Sequence, residues 1–341
     1  MDAFAWLAAN TVAEAARVAN GTVADAMSRT PAQPRSIAIA KAGGIDLLDL
    51  MKEGLLAPAT VVSLRGVPGI DAIVAEGTGG LRIGALTTLA RLANDPLVRE
   101  RYPALAQAAQ ATASPQIRHV ATIGGNLLQR PRCWYFRSTA FACLRKGGAH
   151  CYALAGENAY HAVFDNLPCA IVHPSTLATA LVALRASIER SDAGGAKRAV
   201  PLETFFVPPQ QDPRRENDLR PGEIVTALRL PPLAAGTRCV HLKQGEREGF
   251  DWPLADVAVV IELDAQRVCK AASVVLGAVA PVPHRARAAE RALVGRAIDE
   301  SVAGLAAHAA LDGAQPLANN AYKLPLVEAL VRRAVLQATR T

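Results

Sequence analysis

A chain of 341 residues with 51% hydrophobic side chains is longer than one average domain and apolar enough to bury a substantial core, which predicts an ordered globular protein of two or three packed domains. Its net charge of +7 is scattered in short pairs such as Arg145-Lys146, Arg214-Arg215 and Arg332-Arg333, without a basic stripe interleaved with aromatics, so nucleic-acid binding is not expected. The opening MDAFAWLAAN lacks a basic leader and long apolar run, and no later stretch approaches the roughly 18 apolar residues of a membrane helix, so neither an export signal of its own nor a span is expected.

No fixed-period repeat is present, and low complexity is confined to alanine-rich stretches at 104–111 and 303–310. Residues 12–19 read as a helix and Pro31 to Pro34 as a connector. Ser36-Ile37-Ala38-Ile39-Ala40 alternates like a short strand feeding Gly43-Gly44. Leu47, Leu48, Leu50 and Met51 then recur at helical spacing behind Asp46, with Gly54 placed to end that helix. Short strands follow at Thr60-Val61-Val62 and Ala72 to Ala75, the latter turning at Gly79-Gly80 into Leu81-Arg82-Ile83. Thr87-Thr88 opens another helix. A helix over 104–113 leads through Ser114-Pro115 to a second glycine turn and a cysteine-rich stretch. Beyond it, 176–186 reads as a helix, 187–200 as a hairpin and 204–222 as an extended, proline-rich loop. After Leu230-Pro231-Pro232 a new unit is expected, with strands near 238–243, 254–263 and 268–278 and two alanine-rich helices after Pro283.

Two consecutive glycines reach backbone angles closed to other residues and let amide hydrogens converge on an anion. Gly43-Gly44 precedes a helix, whose positive end adds to that attraction, and Gly124-Gly125-Asn126 offers a second such nest with a side-chain amide. Each alone reads more readily as an ordinary turn; two in matching contexts favour a diphosphate. The Rossmann fingerprint fails, since Gly77-Thr78-Gly79 is followed by Arg82 and lies in a hairpin, and no Walker loop is present.

Cys133, Cys143, Cys151 and Cys169 fall within 37 residues, while Cys239 and Cys269 lie in strand-like contexts as core residues. Their gaps of nine, seven and seventeen residues match neither zinc fingers nor ferredoxin runs. Spacing alone leaves buried thiols, disulfides, zinc and an iron–sulfur cluster open. For a cluster, Arg130, Arg132, Arg137, Arg145 and Lys146 would offset thiolate charge, and Trp134, Tyr135 and Phe136 would exclude water. His119, His173 and Asp251-Trp252-Pro253 read as packing or hydrogen-bonding elements, and no catalytic acid or base is assigned.

These residues resemble the flavin-binding medium subunits of the xanthine dehydrogenase family of molybdenum hydroxylases. The likeness covers essentially the whole chain. Ala42-Gly43-Gly44-Ile45-Asp46-Leu47-Leu48-Asp49-Leu50-Met51-Lys52 is similar to the family's first FAD loop, and Ala121-Thr122-Ile123-Gly124-Gly125-Asn126-Leu127 to its second. Leu81-Arg82-Ile83-Gly84-Ala85, Phe250-Asp251-Trp252-Pro253-Leu254-Ala255 and Gly277-Ala278-Val279-Ala280-Pro281 follow in the family's order. The run from Asn126 to Arg137 and the three later cysteines resemble the subgroup of bacterial periplasmic aldehyde oxidoreductases, whose medium subunit carries a [4Fe-4S] cluster on a four-cysteine loop.

The resemblance implies an α+β protein. Residues 1–228 would form a two-subdomain FAD-binding fold of the vanillyl-alcohol oxidase/MurB type (PCMH-like), divided at 58/59, with the cluster loop at 127–170. Residues 229–341 would form a C-terminal α+β domain with a small antiparallel sheet and helices. It implies FAD contacts from Ala42, Gly43, Gly44, Ile45, Asp46, Leu47, Ala121, Thr122, Ile123, Gly124, Gly125, Asn126, Thr176, Ile224 and Lys243, and cluster ligation by Cys133, Cys143, Cys151 and Cys169. Ile45 and Thr176 are departures, standing where the family has threonine and aspartate. The implied partners are a small subunit with [2Fe-2S] clusters, a large subunit with the molybdenum cofactor, and an external electron acceptor. Location in the periplasm would follow from co-export with a partner; cytoplasmic residence is the alternative. The competing readings are a self-contained flavin oxidoreductase and a structural protein stapled by zinc or disulfides.

Overall fold

The short apolar runs around Val61 and Ile39 are too brief for helices and build a three-stranded parallel sheet. In the computed structural model, which describes residues 1–27, 37–247 and 249–340, β1 (Ala5–Ala8), β2 (Ala38–Lys41) and β3 (Thr60–Ser63) pair in the order β1-β3-β2. The expected connector at Pro31 to Pro34, and Ser36, lie outside the described residues. Parallel neighbours need a crossover, supplied here by helices Val12–Val18 and Ile45–Lys52. Ala8 and Lys41 both pair with Ser63, so all three strands end at one edge, and the Gly43-Gly44 turn leaves from that edge.

The second sheet is antiparallel: β4 (Ile73–Ala75), β5 (Leu81–Gly84), β6 (Ser187–Ser191), β7 (Lys197–Pro201) and β8 (Ile224–Leu230), ordered β4-β5-β8-β6-β7. Gly79, at φ +86°, makes the expected hairpin turn. One face carries Leu81, Ile83, Ile188 and Leu228, all fully buried against helices Leu89–Asn94, Pro103–Gln110 and Thr176–Ala183. Each such side chain contributes about 1.5–3 kcal/mol through burial.

The third sheet, β9 (Thr237–Gln244), β10 (Ala255–Leu263), β11 (Cys269–Gly277) and β12 (His284–Arg285), is antiparallel in the order β12-β11-β10-β9. Three helices back it, Arg287–Leu293, Glu300–Ala309 and Lys323–Arg340, one more than expected. The third escapes an alanine count because its buried stripe is Val327, Leu330, Val331, Ala334 and Val335, and Pro325 sits in its first turn, where proline is tolerated. β3 begins after residue 58 and β8 runs past residue 228, so the first and second sheets close at Ser63 and Leu230. No helix among the described residues is long and apolar enough to cross a membrane.

Candidate cofactor sites

The first glycine turn is dictated by close approach. A Cβ at Gly43 would lie 2.2 Å from the Val120 carbonyl oxygen, so only glycine lets β2 pass the segment leading into the second turn. Gly44, at φ +85°, then caps helix Ile45–Lys52 with no side chain on the cap. Among the described residues the amides of Gly43, Gly44, Ile45 and Asp46 donate to no protein acceptor. Free amides at a helix start, reinforced by its dipole, are an anion cradle.

The second turn is built differently from its expected form. Residues Ile123–Leu127 make a short helix capped by Thr122, whose Oγ1 accepts from Gly125 N at 3.2 Å. Ile123 N donates to Thr87 O and Gly124 N to Ala85 O, each at 2.9 Å. These amides are therefore committed to the protein, and Gly124 is small because a Cβ would sit 3.0 Å from Ala85 Cβ and O. Asn126 accepts at Oδ1 from Ser175 Oγ at 2.6 Å, which aims its remaining amide group.

Between the two turns lies a cleft of about 260 Å³. Ala42, Gly43, Gly44, Ile45, Asp46, Leu47, Ala121, Thr122, Gly124, Gly125, Asn126 and Ile224 line it. Three residues named from the sequence lie outside the lining. Ile123 is fully buried in the core, Thr176 begins the helix behind Ser175, and Lys243 Nζ donates to Ala111 O at 2.8 Å. Lys41, Arg132 and Trp252 line the cleft without having been singled out for it. Arg132 stacks 4.7 Å above the Trp252 ring, a cation–π contact that packs the Asp251-Trp252-Pro253 segment against the start of the cysteine loop. Apolar walls from Ile39, Leu64, Leu86 and Leu89 and a donor-rich end fit an extended molecule with flat rings and an anionic middle.

The four clustered cysteines converge. Cys133, Cys143, Cys151 and Cys169 line one pocket with Arg145 and His161, and no disulfide joins them. Among the described residues no three His, Cys, Asp or Glu side chains form a group that could hold a metal ion.

Polar atoms left over in the pocket lack protein partners. Arg145 Nε and Nη2 and His161 Nδ1 are buried without hydrogen-bond partners, which costs free energy unless a charged acceptor is present. Glu216 Oε1 accepts from Arg130 Nη2 at 2.8 Å and Arg145 Nη1 at 2.6 Å, so two buried guanidiniums share one buried carboxylate and positive charge remains beside Cys169. The Cys169 thiol is drawn below its ordinary range by its hydrogen bond with Cys151, against the opposing effect of burial and with help from Arg145. Burial pushes Cys133 up to about 11, and its sulfur lies 3.2 Å from Nε2 of His161, which burial holds neutral with a pKa of about 4.

One helix joins both sites. The acidic face of Ile45–Lys52 and its cap holds the start of the cysteine loop: Asp46 Oδ1 meets Arg132 Nη2 at 2.8 Å and Arg137 Nη2 at 2.6 Å, Asp49 meets Arg132 at 3.2 Å, and Glu53 meets Arg137 at 3.3 Å. His173 lies buried against Phe206, outside the cleft lining, and accepts from Ser175 N at 3.3 Å, as a hydrogen-bonding residue does. His119 is exposed at the end of a short helix.

Comparison with known proteins agrees with this geometry. Residues 2–233 match the family "FAD binding domain in molybdopterin dehydrogenase", and residues 240–338 match "CO dehydrogenase flavoprotein C-terminal domain". The aldehyde oxidoreductase FAD-binding subunit PaoB of Escherichia coli strain K12 is 36% identical over 344 residues, 99% of each chain. The carbon monoxide dehydrogenase medium chain of Hydrogenophaga pseudoflava is 28% identical over 86% of each chain. A solved carbon monoxide dehydrogenase from that organism superposes with a TM-score of 0.74 at 26% identity, covering 99% of this chain and 98% of that one. This chain belongs to the FAD-binding medium subunits of the molybdenum hydroxylases, the family of the aldehyde oxidoreductase and carbon monoxide dehydrogenase flavoproteins.

Proposed function

We propose that this chain is the FAD- and [4Fe-4S]-carrying medium subunit of a heterotrimeric, molybdenum-dependent aldehyde oxidoreductase, and the point at which electrons leave that complex. When bound, flavin and cluster supply the redox chemistry, receiving electrons from a molybdenum site in a large subunit through [2Fe-2S] clusters of a small subunit and passing them to an external acceptor. The observation that carries this reading is the gathering of four cysteines from a 37-residue stretch around one pocket, tied by ion pairs to the helix that opens at the flavin turn. The 36% identity to an aldehyde oxidoreductase subunit over the whole chain supports the aldehyde assignment.

The residues of the chain bind and orient. The free amides of Gly43, Gly44, Ile45 and Asp46 take the diphosphate, and Thr122 and Asn126 shape the opposite wall. Thr176 and Lys243 act from outside the lining. The helix begun by Thr176 carries Ser175 against Asn126, and Lys243 fixes the Ala111 carbonyl next to Thr112 and Ala113 of the cleft. Cys133, Cys143, Cys151 and Cys169 ligate the cluster, while Arg145 supplies buried positive charge beside it. The thiolates are loaded with iron in a reducing compartment, and the assembled complex reaches the periplasm on a partner's export signal.

The test is anaerobic reduction of the co-purified complex by an aromatic aldehyde. Flavin and iron–sulfur absorbance should bleach together. An inert complex whose flavin stays oxidised would remove the aldehyde assignment.

A further inference from the structure

Lys41 ends β2, immediately before the first glycine turn. Its side chain is only 7% exposed, yet it lines the flavin cleft rather than the packed core. The ammonium makes one long hydrogen bond, to the Ala42 carbonyl at 3.3 Å, and lies 5.3 Å from the centre of the Trp6 ring. Among the described residues no carboxylate reaches it within ion-pair distance. A buried ammonium lacking a carboxylate is unfavourable on its own, and both burial and the neighbouring Arg65 lower its hold on the proton.

Its position relative to the turn gives the charge a use. A Cβ built on Gly44 would fall 2.4 Å from Lys41 Cε and 3.1 Å from its Nζ, so the tip of the lysine rests against the residue that caps helix Ile45–Lys52. The first amides of that eight-residue helix have no protein acceptor. A cation without a counter-charge and a row of free donors thus meet at one end of the cleft. The side chain of Ile45, beside them, is apolar and offers no hydroxyl.

We propose that Lys41 is a binding residue for the diphosphate of FAD, supplying the positive charge that the glycine turn lacks. Charge-assisted contacts of this kind are stronger than those from neutral amides. The lysine stem, held against Trp6 and Gly44, arrives at the phosphates already ordered.

The test uses the full-length chain stripped of flavin and titrated with FAD, ADP and riboflavin. ADP carries the diphosphate without the flavin, and riboflavin the flavin without the diphosphate. Lys41→Met keeps the apolar stem and removes the charge. It should weaken FAD and ADP by about tenfold or more, with the loss shrinking as sodium chloride rises, and leave riboflavin unchanged. Lys41→Arg should retain most of the affinity. Lys41→Gln, a second uncharged variant with a polar tip, carries the same expectation as Lys41→Met should the latter fold poorly, and thermal unfolding of the flavin-free proteins monitors the fold. Unchanged FAD affinity in a folded uncharged variant, or equal losses for FAD and riboflavin, would overturn the proposal.

Discussion

Asp46 Oδ1 lies 2.6 Å from Arg137 Nη2, joining the first turn of the flavin helix to the segment just past Cys133. Both side chains are largely shielded, at 14% and 10% exposure, and Asp46 Oδ2 also accepts from Arg130 N at 2.8 Å. One carboxylate therefore holds the cysteine loop by two arginines and a backbone amide. Asp46→Ala should destabilise the protein by about 1–3 kcal/mol and expose the 130–145 region to limited proteolysis. Asp49, with its side chain 49% exposed, makes the comparison: Asp49→Ala should cost under about 1 kcal/mol. Equal effects on thermal unfolding would show that Asp46 has no special position.

Gly43 and Gly54 separate close approach from backbone strain. A Cβ at Gly43 meets backbone at 2.2 Å, whereas Gly54, at φ +73°, has nothing within 4 Å. Gly43→Ala should abolish bound flavin absorbance and destabilise by roughly 1–3 kcal/mol or more. Gly54→Ala should cost about 1–2 kcal/mol and keep its flavin.

His173 is predicted to shape the acid limb of stability. Burial lowers its pKa from 6.5 to about 4. Between those values the unfolded chain binds a proton that the folded chain refuses, so stability present above pH 6.5 is lost as the pH falls toward about 4. The contribution is at most roughly 3 kcal/mol. Denaturant unfolding at pH 7 and pH 4.5 should show a smaller drop for His173→Phe than for the unsubstituted protein; equal drops would mean that His173 titrates normally.

Serine substitution sorts the six cysteines. Cys133, Cys143, Cys151 and Cys169 should each lose iron and labile sulfide when changed to serine. Cys239→Ser and Cys269→Ser, buried in strands β9 and β11, should keep both and lose only stability. Iron loss spread evenly over all six would point to unfolding rather than ligation.

The parts of the molecule legible in the sequence are those with strong local chemistry. The Asp46 helix ending near Gly54, the Gly79-Gly80 hairpin and the three long strands after residue 236 follow from periodicity and turn residues. β1 was not legible, since Ala5–Ala8 shows no alternation and is held only by its pairing with β3. Helices Pro96–Arg101 and Pro115–Val120 are too short for an apolar stripe and are marked only by Asp95 and Ser114 caps ahead of proline. The second glycine turn looks like the first in sequence, yet its amides are taken by Ala85, Thr87 and Thr122, contacts set by tertiary packing. Lys41 and Trp252 reach the cleft from a strand end and a distant loop, which no spacing rule connects.

The most direct test of the central claim is iron and acid-labile sulfide analysis of this chain, isolated anaerobically and separated from its partners, normalised to bound FAD. The account predicts about four iron and four sulfide per flavin, with the metal lost in Cys151→Ser while the flavin stays. Full FAD occupancy with zinc alone, or with no metal and no sulfide, would contradict it.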